Sequence, residues 1–149
     1  QLVWPGKPGM AVELPPPPLT AVELERFNTG KTLYAICAGC HQLDGRGQNG
    51  LAPPLLDSEW VTGSPERLVR IALHGAYGPI TVAGRKYWLD MPGFGAALED
   101  GQVASVLTYI RREWEHAAAP VAPEVVKRIR SQTTARRTAW TEEELKELP

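Results

Sequence analysis

Two cysteines three positions apart, followed at once by a histidine, form the segment Cys37-Ala38-Gly39-Cys40-His41, and the chain contains no other cysteine. Thiols at i and i+3 leave the same face of a helical turn, so both can reach one edge of a flat group such as a porphyrin. The imidazole that follows can then turn toward a metal at the centre of that ring. C-x-x-C-H is accordingly the pattern of covalent haem attachment, with thioethers at Cys37 and Cys40 and with His41 as an axial iron ligand. A disulfide or a redox dithiol would use the cysteines without calling for the histidine, and the dithiol belongs in a βαβ pattern that this chain lacks. A zinc site would draw on Cys37, Cys40, His74 and His116, whose two histidines lie too far apart for a finger.

An iron held by His41 leaves a sixth position, for which the chain offers Met10, Met91, His74 and His116. Met10 lies among prolines, His116 follows a long helix, and His74 reads as a helix-end histidine facing carbonyl groups. Met91 precedes Pro92, which favours an extended backbone, and sits in a glycine-bearing loop able to wrap a flat cofactor. Met91 is the expected distal ligand. The second ring nitrogen of His41 needs an acceptor that fixes its orientation. Haem propionates need donors or cations, for which Trp60, Arg70, Arg85, Tyr87 and Trp88 are candidates. With both axial positions filled the iron offers no open site, which suits an electron carrier and no catalytic residue. A displaceable distal ligand would instead give a catalytic or gas-sensing haem protein.

The elements that must position these groups read as mainly α. Residues 1 to 19 are rich in proline, with Pro15 to Pro18 consecutive, and read as an extended arm. From Thr20, a plausible N-cap, apolar residues recur at helical spacing into Cys37, as one or two helices with a break expected near Asn28 to Gly30. Residues 42 to 59 carry Gly45, Gly47, Gly50, Pro53 and Pro54 and read as irregular loop. Ser64-Pro65 should open a short helix that ends at His74-Gly75. Residues 75 to 96 read as loop with a small hairpin around Ile80 to Lys86. Val103, Val106, Leu107, Ile110 and Trp114 describe an amphipathic helix that is acidic at its start and has Arg111 and Arg112 near its end. Two short helices should close the chain, after Pro123 and from the capping box Thr141-Glu142-Glu143-Glu144. The divisions expected are an arm at 1–19, a haem domain at 20–119 and a helical extension at 120–149.

Composition adds bounds. The chain has 149 residues, enough for one small domain whose core a bulky apolar cofactor would help to fill. Its 16 basic and 17 acidic residues nearly cancel, which gives no field for nucleic acid. No run approaches the roughly 18 apolar residues of a membrane span. The chain begins at Gln1 rather than Met, as a mature protein would after loss of an export signal, or a domain excised from a larger chain. A basic run, Lys127, Arg128, Arg130, Arg136 and Arg137, is either a docking patch or a solvated face.

On Cys37 to His41 and the segments around it, the chain resembles class I c-type cytochromes over most of residues 29 to 114. The resemblance implies the cytochrome c fold around a single haem c. It implies an N-terminal helix in which Gly30 and Tyr34 meet a C-terminal helix at Val106 and Tyr109. It also implies that the Pro53 carbonyl receives the His41 ring proton, and it points to Met91 as distal ligand. Leu73 to Ile80 and Met91-Pro92-Gly93-Phe94 are similar to the haem domains that accompany bacterial sugar and alcohol dehydrogenases. Partners would then be redox proteins: a dehydrogenase or upstream respiratory donor, and an oxidase or other cytochrome as acceptor. The place implied is the periplasm or its equivalent, and docking would centre on an exposed haem edge near Ala38, Gly39 and Gln42.

Overall fold

The computed structural model describes residues 15–148, so Met10 and most of the proline arm lie outside the described residues. Thr20 opens helix α1 (Ala21–Leu33) with a full capping box: its hydroxyl accepts from the Glu23 amide and the Glu23 carboxylate accepts from the Thr20 amide. The break before the cysteine motif falls at Tyr34, not near Asn28 to Gly30 as the glycine suggested. Gly30 is instead a packing position inside α1. Helix α2 (Ala35–His41) carries the cysteines, and the loop that follows is irregular apart from one bridge, Gln48 to Ala52.

Ser58 caps the single turn α3 (Glu59–Thr62), for which the sequence carries no separate signal. Ser64 caps α4 (Pro65–His74) through the Arg67 amide, with Pro65 at the first helical position, and the helix ends at His74 before Gly75 as the signals indicated.

The hairpin is longer than the sequence signals indicate. Residues 75 to 92 form a full hairpin, β1 (Gly75–Val82) against β2 (Arg85–Pro92), antiparallel with Gly75 opposite Pro92 and Val82 opposite Arg85. Its two-residue turn is Ala83-Gly84, with φ of 49° and 80°, the left-handed pair that a right-twisted hairpin prefers. Alanine rarely signals such a turn, and Gly75, Gly78 and Pro79 within β1 imitate loop. The strand is nevertheless revealed by alternation: Ala76, Gly78, Ile80 and Val82 are buried while Tyr77 and Pro79 are exposed.

Helix α5 (Asp100–Arg112) crosses α1 at its most buried stretch. At the crossing Gly30 lies so close to the Ser105 carbonyl that a Cβ would overlap its oxygen, and Tyr109 Cβ is the next neighbour. The expected partner Val106 is turned away from this contact and lines the central cavity instead. Tyr34 and Phe27 each set a tilted ring against Tyr109, with centroids 5.2 Å away. Trp114 is not helical, since α5 stops at Arg112, and takes φ 54° to lay its ring against Tyr34.

Arg111 is buried and donates to the carbonyls of Ala119, Val61 and Gly63 at 2.7, 2.9 and 2.8 Å, tying α5 to α3 and to the chain beyond Trp114. Helices α6 (Pro123–Gln132) and α7 (Glu142–Lys146) arise where Pro123 and the Thr141 capping box indicate, and α6 packs on α4 and α5. The fold is thus mainly α with one two-stranded sheet.

Gly30→Ala tests the helix crossing. Alanine is the better helix former by about 1 kcal/mol, yet its Cβ meets backbone that cannot move aside. Overpacking of this kind costs roughly 3 kcal/mol or more. The net expectation is a loss of about 2 kcal/mol, a Tm lowered by roughly 4–8 °C with an unchanged haem spectrum. A variant that melts at or above the wild-type temperature would show that the helices can part without cost.

Candidate functional site

An apolar cavity is bounded by α2, the loop after it, α4, the hairpin and α5. Cys37, Cys40, His41, Pro53 and Met91 all face it, together with Ile36, Leu68, Ile71, Val106, Leu107 and Ile110. The enclosed volume is about 160 Å³, and the mouth opens to solvent. Its walls are almost wholly aliphatic or aromatic, which suits a large flat apolar group.

On the α2 side, His41 is buried and its Nδ1 donates to the Pro53 carbonyl at 2.9 Å. That contact leaves Nε2 as the unprotonated nitrogen, and burial lowers the ring's pKa, so the imidazole stays neutral and able to bind a metal. Cys37 is half-buried and burial pushes its thiol up to about 11, whereas Cys40 is exposed at the cavity mouth. Two features that the sequence reading missed hold this side in place. The Tyr34 hydroxyl donates to the Gln42 carbonyl at 2.5 Å, closing the end of α2. Gly47, at φ 70°, lies directly against the Ala52–Pro53 peptide, where any side chain would displace the carbonyl that His41 uses.

Met91 reaches the cavity from β2, where it pairs with Ala76. The sequence reading placed it in a flexible loop; the structure places it in a paired strand, on the inward face with Leu89 and Tyr87. Pro92 ends the strand, and Phe94, whose amide donates to the Ala72 carbonyl at 2.8 Å, closes the rim below.

The other candidate ligands lie elsewhere. His116 is buried away from the cavity, donating from Nδ1 to the Ile110 carbonyl at 2.7 Å and accepting the Asp57 amide on Nε2 at 3.0 Å, so both nitrogens are spent. His74 faces a separate cleft and accepts from Trp140 Nε1 at 3.3 Å. These partners keep both histidines from joining the cysteines, as the zinc alternative would require.

Of the five propionate candidates, only Trp60 lines the cavity, and its Nε1 already donates to the Thr81 carbonyl at 2.8 Å. Arg70 lies on the far face of α4, between Glu66, Gln132 and the Trp140 ring. Arg85, Tyr87 and Trp88 line an outer groove beside Leu51 to Pro53, with Trp88 72% exposed. The sequence could not separate these roles, because each depends on which way a strand or helix face turns. The basic run is likewise mostly occupied: Arg128 pairs with Glu66 at 2.6 Å, Arg130 with Asp100 at 2.7 Å and Arg136 with Glu144 at 2.8 Å.

Among the described residues no helix is long and apolar enough to cross a membrane. The chain matches the family Cytochrome c over residues 27–114. It is 39% identical over 111 residues to cytochrome c-552 of Thermus thermophilus, a match covering 68% of this chain and 84% of that protein. It is also similar to the gluconate 2-dehydrogenase cytochrome c subunit of Pantoea cypripedii, 35% identical over 113 residues, with 71% of this chain and 25% of that subunit covered. The fructose dehydrogenase cytochrome subunit of Gluconobacter japonicus is 31% identical over 116 residues, with 72% and 23% covered. The chain therefore spans about a quarter of each of these two subunits. By motif, cavity and these matches together, the chain belongs to the cytochrome c family, a family of electron-transfer proteins with covalently bound haem c.

Proposed function

We propose that this chain is a monohaem electron carrier in which Cys37 and Cys40 form the thioethers and His41 Nε2 and Met91 hold the iron from opposite sides. The observation that carries the reading is the neutral, oriented His41 imidazole, fixed by Pro53, in an apolar cavity that both cysteines and Met91 share. Haem, when bound, supplies a one-electron couple, and thioether ligation raises its potential. The chain's own part is to exclude water with Leu68, Ile71, Leu107 and Ile110, to keep the imidazole in one tautomer, and to present Met91 from a fixed strand.

Exposed Ile36 and Leu51, 49% and 53% accessible, stand at the mouth beside Cys40, where a transient redox partner would dock through apolar contact. The donor would be a dehydrogenase or upstream respiratory complex, the acceptor an oxidase or another cytochrome, in the periplasm or its equivalent.

With both axial positions filled, carbon monoxide added to the reduced protein should leave its spectrum unchanged over minutes. A prompt shift at low gas concentration would mean an easily opened iron, and would favour a gas-binding or catalytic haem protein over a carrier.

A further inference from the structure

We propose that Trp140, in the segment between α6 and α7, is a positioning residue for Met91 that acts by locking the hairpin against the iron; this rests on Met91 being the distal ligand. The hairpin is weak by itself. Two strands alone are at best marginally stable in water, and β1 would otherwise present an unpaired edge.

Trp140 covers that edge at one point. Its amide donates to the Gly75 carbonyl at 3.0 Å and its carbonyl accepts the Tyr77 amide at 2.9 Å. Both contacts flank Ala76, the residue paired with Met91 on the other side. Trp140, Ala76 and Met91 thus form one cross-section of a locally three-stranded sheet.

The side chain anchors the segment. The indole is buried in the cluster of Trp60, Ile71, Ala76 and Ile80 against which Met91 also packs. The Arg136 guanidinium lies 3.4 Å from its ring centre, and Nε1 donates to His74. Arg136 is in turn held by Glu144, whose carboxyl its hydrogen bonds bring down to about 2, so the pair stays ionised at neutral pH. Side-chain rotation alone can lift the Met91 sulfur from the iron, but any displacement that draws β2 with it must strain the hairpin against this anchored edge. The anchor therefore favours the bound position of Met91.

The test uses the full haem-loaded protein and imidazole, which competes with a distal methionine on ferric iron. Trp140→Leu should bind imidazole at least tenfold more tightly than wild type, and Trp140→Phe, which keeps a ring over Arg136, should restore most of the difference. Val126→Ala, in the fully buried core of α6 away from the cavity, controls for general loss of stability and should change imidazole affinity less than twofold. Equal shifts in Trp140→Leu and Val126→Ala, or none in Trp140→Leu, would overturn the proposal.

If Trp140→Leu does not fold, the wild type suffices. Coupling is reciprocal, so saturating imidazole should speed amide exchange at Tyr77 and Trp140 at least tenfold, and unchanged protection would overturn the proposal. Met91→Ala separates the two claims. If its ferric spectrum keeps the sulfur-to-iron band, the ligand reading itself fails; if the band is lost while the Trp140 variants behave as wild type, only the positioning role fails.

Discussion

Replacing Cys37 and Cys40 together by alanine should release all of the haem into acid acetone, where the wild type releases none. In the proposed attachment each thiol contributes one thioether, and α2 carries both to the cavity. Either single replacement should keep covalent haem through the remaining bond. Pyridine haemochrome spectra read the number of bonds directly, and should give one haem per wild-type chain. The double variant can still hold haem loosely, because His41, Met91 and the apolar walls remain. Retention through denaturation in the double variant would refute the attachment site, since no other cysteine is present.

Met91→Ala should abolish the weak far-red sulfur-to-iron charge-transfer band and lower the reduction potential. Axial ligands move haem potentials across about 0.8 V in all, and loss of a thioether should account for a fall on the order of 0.1 V. The reduced variant should also bind carbon monoxide promptly, because none of the other described candidates can replace the sulfur: His74 opens on another cleft and His116 has both nitrogens engaged. Protein-film voltammetry and the ferric spectrum give the two readouts independently. A surviving band would assign the iron to a different residue.

The hairpin explains why the distal side was harder to read than the proximal side. Around His41 the signals are local: a five-residue motif, a helical turn, and a proline carbonyl twelve positions on. Pro92 and the family likeness mark Met91 in the sequence, whereas the strand that carries it gives a loop-like signal. Ala83-Gly84 lacks the asparagine or aspartate that usually marks such a turn, and Gly75, Gly78 and Pro79 mimic a loop. Gly75 in fact permits a close approach: at φ 84° it sits against the Met91 carbonyl and Gly93, where a side chain would force the hairpin open.

The sequence by itself determined the caps, because capping is chemistry between residues three positions apart: Thr20 with Glu23, Ser64 with Arg67, Thr141 with Glu144. It determined the attachment motif for the same reason, and the mainly helical class followed from periodicity. Tertiary structure alone decided what depends on partners far along the chain. It turned Val106 into the cavity and set Gly30 on Ser105. It placed Arg70 beside Trp140 rather than at the haem cavity, paired most of the basic run with Glu66, Asp100 and Glu144, and laid Trp140 along β1. Each of these choices depends on burial and on hydrogen bonds between residues about 30 to 80 positions apart, except Glu144. Propensity and spacing within a turn or two cannot encode which of several arginines, histidines or indoles will meet such a partner, since the packing of whole elements decides it.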